Sequence, residues 1–160
     1  MIQEKLYRGG NYEKSGFDDW TTPPKVIREL KEEFGTVFHD PCPADWKPSD
    51  PDGLKIDWPR GVYCFVNPPY SKMREWVKKC FIEWEKGVGV LLLIPPRTDT
   101  KYFHDYIYGN AYLRFYKGRL KFGKGGPSKP APFPSMLCVY PKIEDYVSPY
   151  DDLTVSRINI

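Results

Sequence analysis

The sequence predicts an α/β fold: a mostly parallel sheet with an antiparallel edge and helices on both faces. Three observations carry this expectation. Apolar runs of strand length alternate with segments of helical periodicity. Residues 88–94 are unbroken apolar sequence, as in a central strand covered on both faces. The last strands follow one another without a clear helix between them.

Residues 1–19 read as an irregular, polar and aromatic N-terminal arm. A helix then starts at Thr21 or Thr22 as its cap, with Pro23 and Pro24 in the first turn, where a missing N–H costs nothing. Val26, Ile27, Leu30 and Phe34 fall on one face, and Gly35 is placed to end it. Residues 36–40 read as a short strand, with Asp40-Pro41-Cys42-Pro43 leaving its carboxyl edge. The Pro- and Asp-rich stretch 44–59 reads mostly as loop, with a short strand near 54–56.

Residues 62–66 form a buried strand that runs directly into Asn67-Pro68-Pro69-Tyr70. Ser71 is placed to cap a second helix. Met73, Trp76, Val77, Cys80, Phe81 and Trp84 follow at offsets 0, 3, 4, 7, 8 and 11, an amphipathic signature that Gly87 stops. After the central apolar strand come a short helix over 100–108 and a strand over 111–116. Residues 117–134 form a basic loop rich in Gly and Pro, with 119–122 as one side of a hairpin. Residues 135–140 are the last strand, and 144–160 an acidic tail.

The 160 residues, 41% hydrophobic and 16% aromatic, suit one folded domain with its own core. The first ten residues hold no apolar signal-peptide core, and the longest apolar run, 88–96, is far short of the roughly 20 residues of a membrane span. A soluble, cytoplasmic protein is expected. Cys42, Cys64, Cys80 and Cys138 lack metal-ligand spacing, and only His39 and His104 could add to them, so no metal is expected. The net charge is +3, but residues 1–143 alone carry 23 basic and 17 acidic groups. Lys117, Arg119, Lys121, Lys124 and Lys129 stand together with no acid among them, which suits a polyanion or a solvated loop.

The chemistry lies in Asn67-Pro68-Pro69-Tyr70, because ligands of open α/β sheets bind at the carboxyl ends of strands. The amino group of adenine is a poor nucleophile, since its lone pair is delocalised into the ring. The Asn67 side-chain carbonyl and the Pro68 backbone carbonyl can accept its two hydrogens. They would favour a pyramidal nitrogen and stabilise the charge that develops there. The prolines hold these acceptors in advance, and Tyr70 offers a flat face for an extruded base. The plainer alternative is a Pro-rich turn that merely starts the next helix.

With these motifs in order, the chain resembles the phage-type DNA N6-adenine methyltransferases, which are related to Dam enzymes. The resemblance rests on Asp19-Trp20-Thr21-Thr22-Pro23, Asp40-Pro41-Cys42, Asp52-Gly53-Leu54, Asn67-Pro68-Pro69-Tyr70, Pro96-Arg97-Thr98-Asp99-Thr100 and Gly118-Arg119-Leu120-Lys121-Phe122. It implies a compact Rossmann-like class I methyltransferase fold that uses S-adenosyl-L-methionine. The partner it implies is double-stranded DNA with a flipped adenine, in the host cytoplasm if the chain is phage-encoded.

By the same resemblance, Trp20, Thr21, Thr22 and Pro23 touch the cofactor's methionine end. Asp40, Pro41 and Cys42 match the first-strand loop, where a carboxylate accepts from the cofactor's ammonium. A helix cap for the threonines and a surface turn for Asp40 remain alternatives. The chain departs from larger methyltransferases in having no G-x-G loop after Asp40. Only 26 residues separate Asp40 from Asn67, too few for two strand-helix units. The ribose-gripping acid is therefore left between Asp52 and Asp57.

Arg97-Thr98-Asp99-Thr100 leaves the central strand either as a substrate or cofactor contact or as a polar brace for the catalytic loop. His104 reads as structural rather than as a base. Lys117, Arg119, Lys121 and Lys124 are the expected phosphate contacts, with Phe122 and Phe133 placed to wedge or stack. Methylation of RNA adenine or of a protein glutamine amide, or a non-catalytic DNA-binding relative, are the competing functions.

Overall fold

The computed structural model describes residues 21–36, 38–123 and 129–145. The N-terminal arm with Trp20, the loop residue Lys124 and the tail beyond residue 145 lie outside them. In chain order the main elements are α1 (Pro24–Phe34), β1 (Phe38–His39), β2 (Tyr63–Val66), α2 (Met73–Glu85) and β3 (Gly89–Ile94). A π-helical turn (Phe103–Ile107), β4 (Tyr112–Phe115), β5 (Lys121–Phe122), β6 (Lys129–Pro130) and β7 (Met136–Tyr140) follow.

Five strands form one sheet in the order β1-β2-β3-β7-β4, and β5 and β6 pair as a separate hairpin. β1, β2 and β3 are mutually parallel, whereas β7 runs opposite to both β3 and β4. Four of the five strands therefore point the same way, and the antiparallel pairing is confined to the β7–β4 side. The carboxyl ends of β1 to β4 consequently open on one edge of the sheet. The segment entering β7 arrives at that same edge.

Side-chain alternation along the strands gives the sheet two buried faces. Cys64, Val66, Val90, Leu92, Ile94, Met136, Cys138 and Tyr140 pack with Trp76, Val77 and Cys80 of α2 and with Phe103 and Ile107. Tyr63, Phe65, Leu91, Leu93, Leu137 and Val139 pack instead against Val26 and Leu30 of α1. Helices thus cover both faces. The same division places Cys64, Cys80 and Cys138 in the core as free thiols.

Several local expectations are corrected. Neither Thr21 nor Thr22 caps α1: Pro23 holds the cap position with no side-chain cap bond, and both threonine hydroxyls are engaged elsewhere. Ser71 does not cap α2 either, because a 3-10 turn (Tyr70–Lys72) comes first and Lys72 becomes the uncapped N-terminal residue. The strand expected near 54–56 is a turn. Asp52 Oδ1 accepts from Leu54 N–H at 3.0 Å, and Asp52 O accepts from Lys55 and Ile56, so the donors a strand would need are spent locally. Gly35 does end α1, at φ 110°, with its N–H on Lys31 O.

A buried ionic cluster fixes the loop between β1 and β2. Glu83 of α2 is fully buried and accepts from Lys79 Nζ at 2.7 Å, Lys86 Nζ at 2.9 Å and Trp58 N–H at 3.0 Å. Burial opposes its charge, yet these donors together hold its carboxyl below the ordinary value. Lys79 also reaches Ile56 O, and the Trp58 indole N–H reaches Gly53 O. The loop is thereby riveted to the helix that follows the Asn67 motif.

Candidate active site

The shared carboxyl edge gathers the segments singled out in the sequence. Asp40 follows β1, Asn67 follows β2, Arg97 lies three residues beyond β3, and Lys117 lies two beyond β4. Strand direction alone accounts for this: co-directional strands deliver their exit loops to one side.

The first two exits meet across a tight backbone contact. A Cβ built on Gly53 would lie 2.0 Å from Pro41 O, so only glycine lets the 52–56 turn seat on the loop after β1. Between them opens a cleft of about 320 Å³, lined by Pro41, Cys42, Trp46, Asp52, Leu54 and Pro69 among others. Small-molecule sites start at roughly 300 Å³. Trp76 of α2 also lines it, and Lys72 stands at the start of that helix.

Asp40 is exposed beside this cleft, its Oδ1 accepting from Cys42 N–H at 2.9 Å. Loss of hydration raises its carboxyl above the ordinary range, the Cys42 bonds oppose that, and the like charge of Asp45 adds to it. Among the described residues no lysine or arginine forms an ion pair with Asp40. The Cys42 thiol is pushed well up, first by burial and then by Asp40, while a backbone hydrogen bond with Asn67 opposes the shift. The loops after β1 and β2 are therefore in direct contact.

Asp52 and Asp57 part company. Asp52 lines the cleft, and the hydrogen bond with Lys55 and the Leu54 N–H draw its carboxyl below the ordinary value. Asp57 pairs with Lys86 at 2.6 Å and does not line the cleft.

In the Asn67 loop, Asn67 is half-buried, Pro68 buried, and Pro69 and Tyr70 half-buried. Asn67 Nδ2 donates to Thr22 Oγ1 at 3.1 Å. Tyr70 meets Phe133 edge to face, with ring centroids 5.1 Å apart. Phe133 reaches it because β7 begins at the edge where β2 ends. Thr21 pairs with Gly123, through N–H to O bonds of 3.0 and 3.2 Å in the two directions. Its hydroxyl adds a 2.6 Å bond to Gly123 O. Neither Thr21, Thr22 nor Pro23 lines the cleft.

Arg97 is partly exposed, with its Nε 3.8 Å from Asp99, and its carbonyl accepts from the Thr100 N–H and hydroxyl. His104 Nε2 lies 2.8 Å from Thr98 O, which ties the same loop to the π-helical turn. Lys117, Arg119 and Lys121 are exposed on the run from β4 to β5. Trp46 and Lys72 join the site without having been singled out by any sequence motif. For Trp46 a signal existed: a tryptophan between the Asp40 and Asp52 motifs, here still 45% exposed and pinned by its indole N–H to Pro51 O.

The family model described as DNA N-6-adenine-methyltransferase (Dam) matches residues 9–157, nearly the whole chain. The chain therefore belongs to the Dam DNA N-6-adenine-methyltransferase family. A DNA N-6-adenine-methyltransferase of Escherichia phage T1 is 26% identical, over 80% of this chain and 63% of its own length. The chain thus spans less than two thirds of that relative. No solved structure matches. Among the described residues no helix is long and apolar enough to cross a membrane, and no cluster of three or more His, Cys, Asp or Glu could hold a metal ion.

Proposed function

We propose that this protein transfers a methyl group from S-adenosyl-L-methionine to the N6 amino group of adenine in double-stranded DNA, on a Rossmann-like class I methyltransferase fold. The observation that carries the reading is the meeting, at one sheet edge, of the Asn67-Pro68-Pro69-Tyr70 loop with a cleft of small-molecule size. The residues fit the donor. Asp40 is an anionic group with no cation paired to it among the described residues, suited to an ammonium. Pro41, Cys42, Leu54 and Trp46 give the cleft apolar walls for an adenosyl group, and Asp52 rather than Asp57 is placed to accept from a ribose. When bound, the donor would supply an electrophilic methyl group carried on its sulfonium sulfur, and breaking that carbon–sulfur bond would leave a neutral thioether.

Asn67 Oδ1 and the Pro68 carbonyl accept the two N6 hydrogens of the flipped adenine. That draws the nitrogen lone pair out of conjugation and stabilises the positive charge it acquires as the new bond forms. Tyr70 stacks on the base, and its T-shaped contact with Phe133 holds the Tyr70 ring. The excess proton leaves the cationic nitrogen afterwards, so no strong base is needed and His104 keeps its structural role. Lys117, Arg119 and Lys121, with Lys124 in the same loop, contact phosphates; such contacts position DNA without reading its sequence. Arg97, which leaves β3 at this same edge, either contacts the substrate or braces the catalytic loop.

The test is incubation with isotope-labelled donor and duplex DNA, RNA or protein, followed by nucleoside and amino-acid analysis. Label in N6-methyladenine from DNA is expected. Label in RNA or in glutamine, or in nothing, would overturn the reading.

A further inference from the structure

We infer that Thr22 is the positioning residue of Asn67: its hydroxyl sets the orientation of the Asn67 amide that the proposed methyl transfer requires. The inference rests on the proposed role of Asn67 and adds a residue to it. The Asn67 amide has a donor arm, Nδ2, and an acceptor arm, Oδ1, about 120° apart by the geometry of any planar amide. Only the acceptor arm serves an amino group. The Asn67 Nδ2 donates to Thr22 Oγ1 at 3.1 Å, which engages the donor arm and turns the acceptor arm away from Thr22. A reversed amide would present N–H groups to the N6 hydrogens and oppose the developing charge.

Thr22 is well built for this task. It has no capping role, since α1 carries no side-chain cap bond. Its backbone is held from both sides. Before it, Thr21 makes three hydrogen bonds to Gly123. After it, Pro23 and Pro24 have ring-restricted φ and lead into a helix anchored by Val26 and Leu30. A hydroxyl carried on so constrained a segment can hold a partner that projects from the neighbouring loop. The Thr21–Gly123 bridge also ties this segment to the basic hairpin, so the hydroxyl that orients Asn67 is one residue from the segment that joins the proposed DNA-facing loop.

The expected effects follow from the loss of one orienting bond. Thr22→Val removes the hydroxyl at nearly constant shape and should lower kcat by about 10- to 100-fold, the scale of a small misplacement in a reacting array. Donor Kd, measured by calorimetry, should stay within about 2-fold, the resolution needed to separate orientation from binding. Thr22→Ser should recover most of the lost turnover, and Thr22→Ala repeats the test if valine crowds the site. A second readout needs no activity. The chain has four asparagines, Asn11, Asn67, Asn110 and Asn159, and one glutamine, Gln3, so its side-chain amide NMR signals are few. The Asn67 pair, assigned by its loss in Asn67→Ala, should shift and exchange faster in Thr22→Val. Unchanged kcat and unchanged Asn67 amide signals in Thr22→Val would overturn the inference. So would a weakened donor Kd with kcat intact, which would make Thr22 a donor contact instead. Full turnover in Asn67→Ala would refute the catalytic reading itself, while the amide signals would still report whether Thr22 holds the side chain.

Discussion

The two halves of the functional edge are built differently. On the β1–β2 side, backbone meets backbone at Gly53 and Pro41, and a buried carboxylate gathers two lysines and an indole-bearing loop. On the β4–β5 side, Lys117, Arg119 and Lys121 stand exposed. The segments around that hairpin join the Asn67 side where Thr21 pairs with Gly123 and where Phe133 meets Tyr70. The contrast suits the division of labour. A methyl donor and an extruded base need fixed geometry, whereas a polyanionic partner needs charge carried on long, adaptable side chains.

Breaking the rigid half should give the largest effect. Glu83→Ala strands Lys79 in a nearly buried position and frees the Trp58 loop, so it should cost about 3–5 kcal/mol of stability, measured by urea unfolding. Because the Glu83 carboxyl is held below its ordinary value in the folded state, its contribution is present at neutral pH. That contribution is lost as pH falls from the ordinary glutamate range through the depressed folded value. The wild type should therefore lose more stability on acidification than Glu83→Gln does.

Donor affinity comes next. Asp40→Asn should weaken it by about 1.5–3 kcal/mol, the range for a hydrogen bond to a charged group. The ionised form accepts from an ammonium, and the Asp40 carboxyl is raised by loss of hydration. Affinity should accordingly begin to fall, on acidification, at a higher pH than a solvated aspartate would dictate. Asp40→Asn should abolish that pH step in calorimetry. A step of the same size in the variant would move the ammonium site elsewhere.

Tyr70→Ala should cost about 1–3 kcal/mol of base stacking, while Tyr70→Phe should be mild. The readout is 2-aminopurine at the target position, which brightens when the wild type extrudes it and should brighten less with Tyr70→Ala. The smallest effect belongs to the exposed half. Lys117→Ala and Lys121→Ala each remove one cation from the set proposed to contact phosphates. Either substitution should flatten the salt dependence of duplex binding by a slope of about 0.9, with donor affinity unchanged. Identical slopes in fluorescence anisotropy would make the loop plain solvated surface.

Much of the fold is legible where local pattern governs. The apolar spacing of α2 and the continuous run of β3 reflect faces that bury whole, so periodicity reports them directly. The order of strand exits follows from their common direction, which puts Asp40, Asn67, Arg97 and Lys117 at one edge. The features hidden from the sequence depend on partners distant along the chain. The threonines look like helix caps until Asn67, 45 residues on, and Gly123, 102 residues on, claim their hydroxyls. The cleft arises where Gly53 meets Pro41, and the 54–56 turn is decided by Asp52 spending nearby N–H groups. Neither event has a periodic signature.

The proposed role of the Asn67 amide is to act on charge developing at adenine N6. Its most direct measurement is single-turnover methylation of a DNA duplex by wild type and Asn67→Ala with labelled donor, donor affinity being followed in parallel. Wild type should place label in N6-methyladenine, and Asn67→Ala should do so roughly 10²–10³ times more slowly, with donor affinity nearly unchanged. Equal rates in the two proteins, or a loss explained wholly by donor binding, would contradict it.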